Sequence, residues 1–484
     1  MQRLHLLDAQ FLHLEDAAAP MHIACISIFA GPVPQAAEIE ALFRSKLHQV
    51  PRYRQRVRFV PLELGRPVWI DDPRFDLGYH LRRTALPAPH DDRALCNLMG
   101  RIMSQPLDRD RPLWEAWVVE GLKGRRWALI SKIHHCLVDG ISGIELLAAL
   151  LDTERESRLP DVVPWTPAAE PSDLALVLDA WRGLAGDAFA WARKTRDGLT
   201  HPADGVRAVV ETGQGLIGFA RRLLIKPPSS IVGTVGTHRV YAHASVTLDD
   251  VRTVRKGLGG TVNDVVLAAV TAGIRALLLH RGEPIGPAGI RSLVPVSVRT
   301  ADARGISDNR VSALLCDLPV HLADPRERLR VLSAQMAELK GSHMVEAGEW
   351  ATELGDLAPP MVVGTVTRLV TRAMHQLPQR AINTVVTNVP GPPFTLHCLG
   401  RTLLECLPYV PIIQGVRVGT AALSYDGRIA FGITGDYDSA RDVDVMAAAI
   451  AVEVRALVRL ARRAASAGRR RADRPAGRAR SGAR

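Results

Sequence analysis

One short segment strongly limits the folds that this chain can adopt. WALISKI is rich in β-branched and aromatic residues, which predicts a strand that enters from the core. After HHCLVDG comes ISGIELLAALL, where Ser142 and Glu145 form an S-x-x-E capping box for a helix that starts near Gly143. Strand, short loop and helix in this order are typical of α/β proteins, which often carry their chemistry at the carboxyl ends of strands.

Two histidines, His134 and His135, lie at the end of this strand, and Asp139 and Gly140 follow in the turn. Side chains alternate along a strand, so only one imidazole readily faces a given cleft. A neutral imidazole there can accept the proton of a weak nucleophile such as an alcohol, while Asp139 holds the loop or orients a ring.

Three alternatives remain open for this segment. A metal site would need three or four ligands, and no partner motif such as HExxH stands out, so no metal is predicted. A structural role would make the histidines hydrogen-bonded core residues and Asp139 a turn former. Cys136 is a weaker candidate for a nucleophile, because nothing adjacent in the sequence supplies a third group.

Positive charge is concentrated at the end of the chain. Residues 461–484 contain nine arginines and one aspartate, a net charge of +8, so the rest of the chain carries only +3 of the total +11. This composition predicts a disordered basic tail. The tail either contacts anionic lipid or has no specific role. The nearly balanced body argues against specific binding of nucleic acid.

Other features of the sequence bear on the compartment. The six cysteines are scattered without a CxxC pair, which is typical of reduced thiols in a cytosolic protein. Acidic residues come too early for a signal peptide, and the most apolar run is interrupted by Arg275. We expect a cytoplasmic protein, with peripheral contact at the inner face of the cell membrane or on lipid droplets as a further expectation.

Composition divides the chain into four parts. Residues 1–155 and 240–460 both mix strand and helix patterns, and the second part includes a hairpin at Asp426-Gly427. Residues 156–239 begin with a proline-rich stretch and continue as helical pattern, which predicts a partly helical linker. Its helices either pack on the body or touch a membrane.

Further candidate residues lie outside the histidine segment. Asn263 and Asp264 follow Thr261 at the start of a long apolar helix, whose amides can bind a developing negative charge or simply be capped. A segment formed by Pro112, Leu113 and Trp114 can shape an acyl groove, although a buried tryptophan usually belongs to the core. TNVPGPP can line the cleft or form a rigid turn.

Eight stretches in order resemble motifs of one family. HHCLVDG resembles the HHxxxDG active-site motif of the CoA-dependent acyltransferase superfamily, which includes condensation domains and carnitine-type acyltransferases. Seven others narrow the resemblance to the bacterial wax ester synthase/diacylglycerol acyltransferase family: LLDAQFLHLEDAAAPMHIA, RPLWEAWVVEGL, TVNDVVLAAV, LVPVSVR, NRVSALLCDLP, VTNVPGPP and LSYDGRIAFG. The resemblance spans residues 4 to about 455.

This resemblance implies two α/β domains of the chloramphenicol acetyltransferase type with a central tunnel between them. It implies that His135 is the general base, that Asp139 is structural and pairs with Arg299, and that Asn263 and Asp264 contribute to activity. His134 and Gly140 belong to the same motif.

The implied activity is transfer of a long-chain acyl group from acyl-CoA to diacylglycerol, with long-chain alcohols as a further acceptor. No bound cofactor is implied, because CoA is a product. The alternative is a non-catalytic lipid-binding protein on the same fold.

Overall fold

The computed structural model describes residues 2–137, 149–156, 159–183, 227–297, 311–340 and 381–472. The strands of this part of the chain are β1 (Gln2–Arg3), β2 (His22–Ala30), β3 (Gln55–Arg58), β4 (Val68–Asp71), β5 (Leu81–Ala85), β6 (Trp114–Leu122), β7 (Arg126–His134), β8 (Val232–Gly233), β9 (Arg239–Thr247), β10 (Ile290–Ser297), β11 (Val311–Leu318), β12 (Thr384–Pro390), β13 (His397–Cys398), β14 (Arg401–Tyr409), β15 (Gly415–Val416), β16 (Val418–Tyr425) and β17 (Arg428–Asp436).

The helices follow the apolar periodicity of the sequence. They are α1 (Leu6–Leu14), α2 (Ala36–Lys46), α3 (Leu77–His80), α4 (Asp92–Met103), α5 (Leu248–Leu258), α6 (Val262–His280), α7 (Pro325–Lys340) and α8 (Val443–Ala472). Residues 173–183, within the segment predicted as a partly helical linker, are also helical, while 184–226 lie outside the described residues.

Two six-stranded sheets form the body. The first has the order β13-β14-β2-β7-β6-β5, and the second has the order β11-β10-β12-β16-β17-β9. Strands such as β7 and β17 are buried along nearly their whole length, which is the expected pattern for strands covered on both faces in an α/β protein. The predicted hairpin joins β16 to β17, and both Asp426 and Gly427 have positive φ, as a two-residue turn of this kind requires.

A strand from the second half of the chain completes the first sheet. β14 pairs antiparallel with β2, so that Tyr409 lies opposite Ala24. The two sheets meet next to this strand, where the Tyr241 hydroxyl donates to the Pro408 carbonyl at 2.9 Å. A Cβ atom at Gly432 would lie 1.7 Å from the same carbonyl oxygen, so only glycine permits this approach. The two halves of the sequence are therefore interleaved in space.

The long apolar helix α6 is a core helix. It is long and apolar enough to cross a membrane by length and composition alone, but 67% of its most apolar window is buried within the fold. Its residues from Val265 to Val270 are all buried, and they pack with strands of the second sheet and with α8. Burial on this scale identifies the apolar run with the protein's own core.

The last helix extends into the segment that the sequence predicts to be a disordered tail. We expected disorder from residue 461, and that prediction is wrong for 461–472, because α8 continues to Ala472. Alanine and arginine both favour helix, and Ala461 is buried against Gly257 of α5, where a Cβ would lie 2.7 Å from the Ala461 Cβ. Residues 473–484 lie outside the described residues.

Candidate active site

The carboxyl end of β7 is held on both sides by backbone hydrogen bonds. The amide of His134 donates to the carbonyl of Leu113 at 2.9 Å, and the amide of His135 donates to the carbonyl of Met21 at 2.8 Å. The strand ends at His134, and residues 135–137 form one 3-10 turn. Strict strand alternation therefore stops before His135, and the two imidazoles have different neighbours.

The imidazole of His134 is buried in a polar cluster. Its Nδ1 atom accepts a hydrogen bond from the amide of Cys136 at 3.1 Å, and its Nε2 atom lies 3.5 Å from Oε2 of Glu15. On the neighbouring strand His22 lies directly opposite His134, with 5.8 Å between the ring centroids. An amide donor at Nδ1 requires that this nitrogen carries the lone pair, so the proton of a neutral ring is on Nε2.

Glu15 is the centre of this cluster. Its Oε1 atom accepts from the Met21 amide at 3.1 Å and lies 3.2 Å from Nε2 of His22, while Oε2 accepts from Arg109 at 2.6 and 3.1 Å. Burial alone would raise the pKa of Glu15, but the imidazoles of His134 and His22 outweigh burial and hold that pKa well below its usual range. The side chain is therefore an ionised carboxylate although it is only 9% exposed.

The imidazole of His135 packs on an aromatic ring. Phe11 of α1 stacks on it with 3.9 Å between ring centroids and 29° between the ring planes. Burial lowers the pKa of His135 to about 4, and electrostatic interaction with the adjacent His134 acts in the same direction. The ring is consequently neutral at pH 7 and has a free lone pair with which to accept a proton.

Cys136 is poorly suited to act as a nucleophile. Its side chain is completely buried, and burial raises the pKa of the thiol well above its usual range. Because the thiolate is the reactive form, the structure argues against the covalent cysteine alternative. Within the described ranges, no group of three or more His, Cys, Asp or Glu residues has the arrangement of a metal site.

The segment Pro112–Trp114 supports the histidines from the adjacent strand. Leu113 supplies the carbonyl that binds the His134 amide, and Trp114 begins β6 opposite Ile133. The Trp114 indole is 1% exposed, and it donates to the carbonyl of Tyr53 at 2.9 Å. The structure thus gives the tryptophan a core position, and a role for this segment in an acyl groove stays a prediction.

The start of α6 is capped by its own side chains. Thr261 accepts from the Asp264 amide at 3.3 Å, and the Asp264 carboxylate accepts from the Thr261 amide at 2.8 Å, which completes a capping box. The side chain of Asn263 does not take part in this cap. Its Oδ1 atom accepts a hydrogen bond from Nδ2 of Asn388, near the end of β12, at 3.4 Å. The candidate segment around Asn263 and the candidate segment TNVPGPP, which are far apart in the sequence, therefore lie next to each other in the fold.

Several predicted residues fall outside the described part of the chain. These are Asp139, Gly140, Ser142, Glu145 and Arg299. The proposed pairing of Asp139 with Arg299 accordingly stays a prediction.

Three residues of the cluster were not singled out from the sequence: Glu15, His22 and Arg109. Glu15 and His22 both lie within the family motif LLDAQFLHLEDAAAPMHIA, yet nothing local shows that an acidic residue after an apolar helix is buried. The available signal was that FLHLED places a carboxylate directly at the end of such a helix. Arg109 gives no local signal, because its partner is 94 residues away.

Known proteins resemble this chain over nearly its whole length. A family model for the wax ester synthase/diacylglycerol acyltransferase catalytic domain matches residues 4–266, and the corresponding C-terminal domain model matches residues 307–457. A Mycobacterium tuberculosis protein named a "probable diacylglycerol O-acyltransferase" is 35% identical over 466 residues, which cover 96% of this chain and 97% of the relative.

Solved structures share the fold. The wax ester synthase/diacylglycerol acyltransferase from Marinobacter aquaeolei VT8 has a TM-score of 0.66 and 24% identity, and covers 95% of this chain and 100% of its own. The first condensation domain of the calcium-dependent antibiotic synthetase has a TM-score of 0.58 and 16% identity, and covers 95% of this chain and 96% of its own. These likenesses confirm the predicted fold class of two chloramphenicol acetyltransferase-like domains, while the central tunnel stays a prediction.

The two family models together match more than half of the residues, in the same order along the chain. The chain belongs to the wax ester synthase/diacylglycerol acyltransferase family.

Proposed function

We propose that this chain transfers a long-chain acyl group from acyl-CoA to diacylglycerol, with long-chain alcohols as a further acceptor. The observation that carries the proposal is the state of His135: a neutral imidazole, fixed at the end of β7 by the Met21 carbonyl and the Phe11 ring. Family membership and the names of the relatives support the acyl transfer chemistry.

The reaction needs a base because an alkoxide is inaccessible at neutral pH. His135 accepts the hydroxyl proton while the acceptor oxygen attacks the thioester carbon and forms a C–O bond. The C–S bond then breaks, and the departing CoA thiolate takes the proton from the imidazolium, which leaves an ester and free CoA. The neutral ring of His135 is in the protonation state that the first step requires.

The tetrahedral intermediate carries a negative oxygen, which donors can stabilise by about 3 to 4 kcal/mol. Asn263 is the described candidate that remains for this role, since the Asp264 carboxylate is engaged in capping α6. Gly140 is the candidate from the histidine motif. No bound metal or cofactor takes part in the proposed mechanism.

We also propose that the protein works at a lipid surface. In the helix 173–183, Leu176 and Ala180 pack inward, while Leu174, Leu178 and Trp181 are 68%, 49% and 59% exposed. The outward residues have i, i+4, i+7 spacing, so they form one apolar stripe that can enter a membrane interface. Leu174→Ser combined with Leu178→Ser should reduce flotation with lipid vesicles, and unchanged flotation would contradict contact through this stripe.

Acyl transfer is tested with labelled palmitoyl-CoA and separate diacylglycerol, long-chain alcohol and amine acceptors, with products resolved by chromatography. We expect His135→Ala to lower turnover by about 10² to 10⁴-fold, the usual contribution of a general base. His238→Ala, at an exposed histidine, is the matched control and should retain wild-type turnover. A folded His135→Ala variant with full CoA release contradicts the mechanism, and lipid binding without any transfer by the wild type supports the non-catalytic alternative.

A further inference from the structure

The carboxylate of Glu15 is connected to His135 by two separate routes. We propose that Glu15 is a positioning residue that holds His135 in place through Met21 and His134. The inference rests on the proposed function only in taking His135 as the base. Glu15 itself does not touch His135 through any described contact, so its effect must pass through its neighbours.

The first route passes through the backbone of Met21. Its amide donates to Oε1 of Glu15 at 3.1 Å, and its carbonyl accepts from the amide of His135 at 2.8 Å. Met21 directly precedes β2, so its position is determined by the sheet on one side and by Glu15 on the other. Loss of the carboxylate would release the amide and leave the carbonyl held by the sheet alone.

The second route passes through the ring of His134. That ring accepts from the amide of Cys136 at 3.1 Å, so it holds the residue that follows the base. Its other nitrogen carries the proton and faces Oε2 of Glu15 at 3.5 Å. An anion in this place favours the tautomer that keeps Nδ1 available to the Cys136 amide.

Arg109 makes an anion tolerable at this depth. Its guanidinium donates twice to Oε2 of Glu15 and once to the carbonyl of Leu12 at 3.0 Å, which also fixes the end of α1. Phe11, the residue stacked on His135, is the neighbour of Leu12 in that helix. Glu15 and Arg109 together therefore fix three neighbours of the base: Met21 at the start of β2, the preceding residue His134, and helix α1, which carries Phe11.

Glu15→Gln is the sharpest test, because it keeps the shape and removes the charge. The glutamine oxygen can still accept from the Met21 amide, but the NH2 group replaces the acceptor Oε2 with a donor that faces the Arg109 guanidinium, so the double contact with Arg109 is lost. In the full-length protein we expect kcat to fall about tenfold to a hundredfold, with the KM for palmitoyl-CoA changed less than about threefold.

Glu453→Gln is the matched control. Glu453, whose side chain is about as buried as that of Glu15, forms an ion pair with Arg328, between α8 and α7, which pack against the second sheet. This variant should lower the melting temperature without changing kcat. An equal loss of kcat in both variants would overturn the proposal, because it would mean that general destabilisation causes the effect.

A second readout does not depend on activity. In protein labelled with [¹⁵N]histidine, long-range ¹H–¹⁵N spectra report which ring nitrogen is protonated, and the His134 signals are assigned by their loss in His134→Gln. We expect the Nε2–H form in the wild type and an altered tautomer population in Glu15→Gln. Unchanged His134 signals together with unchanged kcat would overturn the proposal.

Arg109→Lys covers the case in which Glu15→Gln does not fold. Arg109 is 42% exposed. A lysine there retains the positive charge but cannot make both of the hydrogen bonds that the guanidinium donates to Glu15. We expect a smaller loss of kcat, about threefold to tenfold, with the same direction of change at His134, and a folded variant without either change refutes the inference. His135→Ala, measured in parallel, distinguishes failure of the proposed mechanism from failure of this inference. Full turnover of His135→Ala would refute the role of His135 as the base, while the His134 signals would still test the role of Glu15.

Discussion

The imidazole of His135 stacks on the phenyl ring of Phe11, with 3.9 Å between the ring centroids. The aromatic ring comes from α1 in the first fourteen residues, and the histidine from the end of β7. α1 therefore forms one wall of the candidate site, which gives the motif LLDAQFLHLEDAAAPMHIA a physical role. The contact also explains why the imidazole is desolvated at the end of a strand.

Removing the Phe11 ring should release the base. Phe11→Ala leaves the His135 imidazole without its stacking partner. We expect kcat to fall about tenfold, because the imidazole would then sample unproductive orientations. Phe11→Tyr retains the aromatic face and should stay within about threefold of wild-type kcat. Steady-state assays with palmitoyl-CoA and diacylglycerol measure both variants, and equal rates for alanine and tyrosine would show that stacking is irrelevant to turnover.

The pH dependence of turnover should reflect a base with an unusually low pKa. Since the pKa of His135 is about 4, the ring remains neutral from pH 8 to about 5, and kcat/KM should be level over that interval. The acid decline should be centred well below the usual histidine pKa of about 6.5. Rapid pH-jump assays measure this before the protein can unfold, and a decline centred near 6.5 would show that His135 is not the titrating base.

Acid should also destabilise the fold through buried histidines. Burial lowers the pKa of His22 to about 4, as it does for His135, whereas both titrate near 6.5 in the unfolded chain. Between these values the unfolded chain binds more protons, so stability present above pH 6.5 is lost as the pH falls toward 4, on the order of 3 kcal/mol per histidine.

Urea unfolding at pH 7 and pH 5 measures this loss. His22→Gln removes one titrating group and should weaken the dependence on pH, while His238→Gln, at an exposed position, should leave it as in the wild type. If His22→Gln and the wild type lose the same free energy of unfolding between the two pH values, burial of His22 does not contribute.

Local patterns in the sequence were sufficient for many elements of the fold. The strand ending at His134, the hairpin at Asp426-Gly427 and the capped start of α6 follow from alternation, turn residues and an N-cap threonine. These features are determined by neighbours within a few residues, so the sequence alone predicts them.

Long-range features were not predictable in the same way. β14 completes the first sheet by pairing with a strand that lies almost 380 residues earlier, and no local pattern specifies that partner. Glu15 and Arg109 likewise need the fold to bring them together across 94 residues. The start of the predicted disordered tail is misplaced because Ala461 is held by packing against α5, which composition cannot show.

The role of Asp264 can be separated from that of its neighbour Asn263. The structure shows the Asp264 carboxylate in the capping box with Thr261, whereas the Asn263 side chain reaches Asn388. Asp264→Ala should therefore lower the free energy of unfolding by about 1 kcal/mol, the usual effect of a lost capping interaction. At a temperature well below its melting point, its kcat should remain within about threefold of the wild type.

Asn263→Ala should show the opposite pattern. The side chain is only partly buried and does not cap the helix, so we expect a small change in stability. We expect kcat to fall about tenfold or more, because the Asn263 side-chain amide is the proposed donor to the developing negative charge. Combining Asn263→Ala with Asn388→Ala should cost less than the sum of the two single effects, because each single change already breaks the contact. Thermal melts and initial rates on the same preparations distinguish the patterns, and a large loss of kcat in Asp264→Ala without loss of stability would assign the aspartate to the reaction instead of the cap.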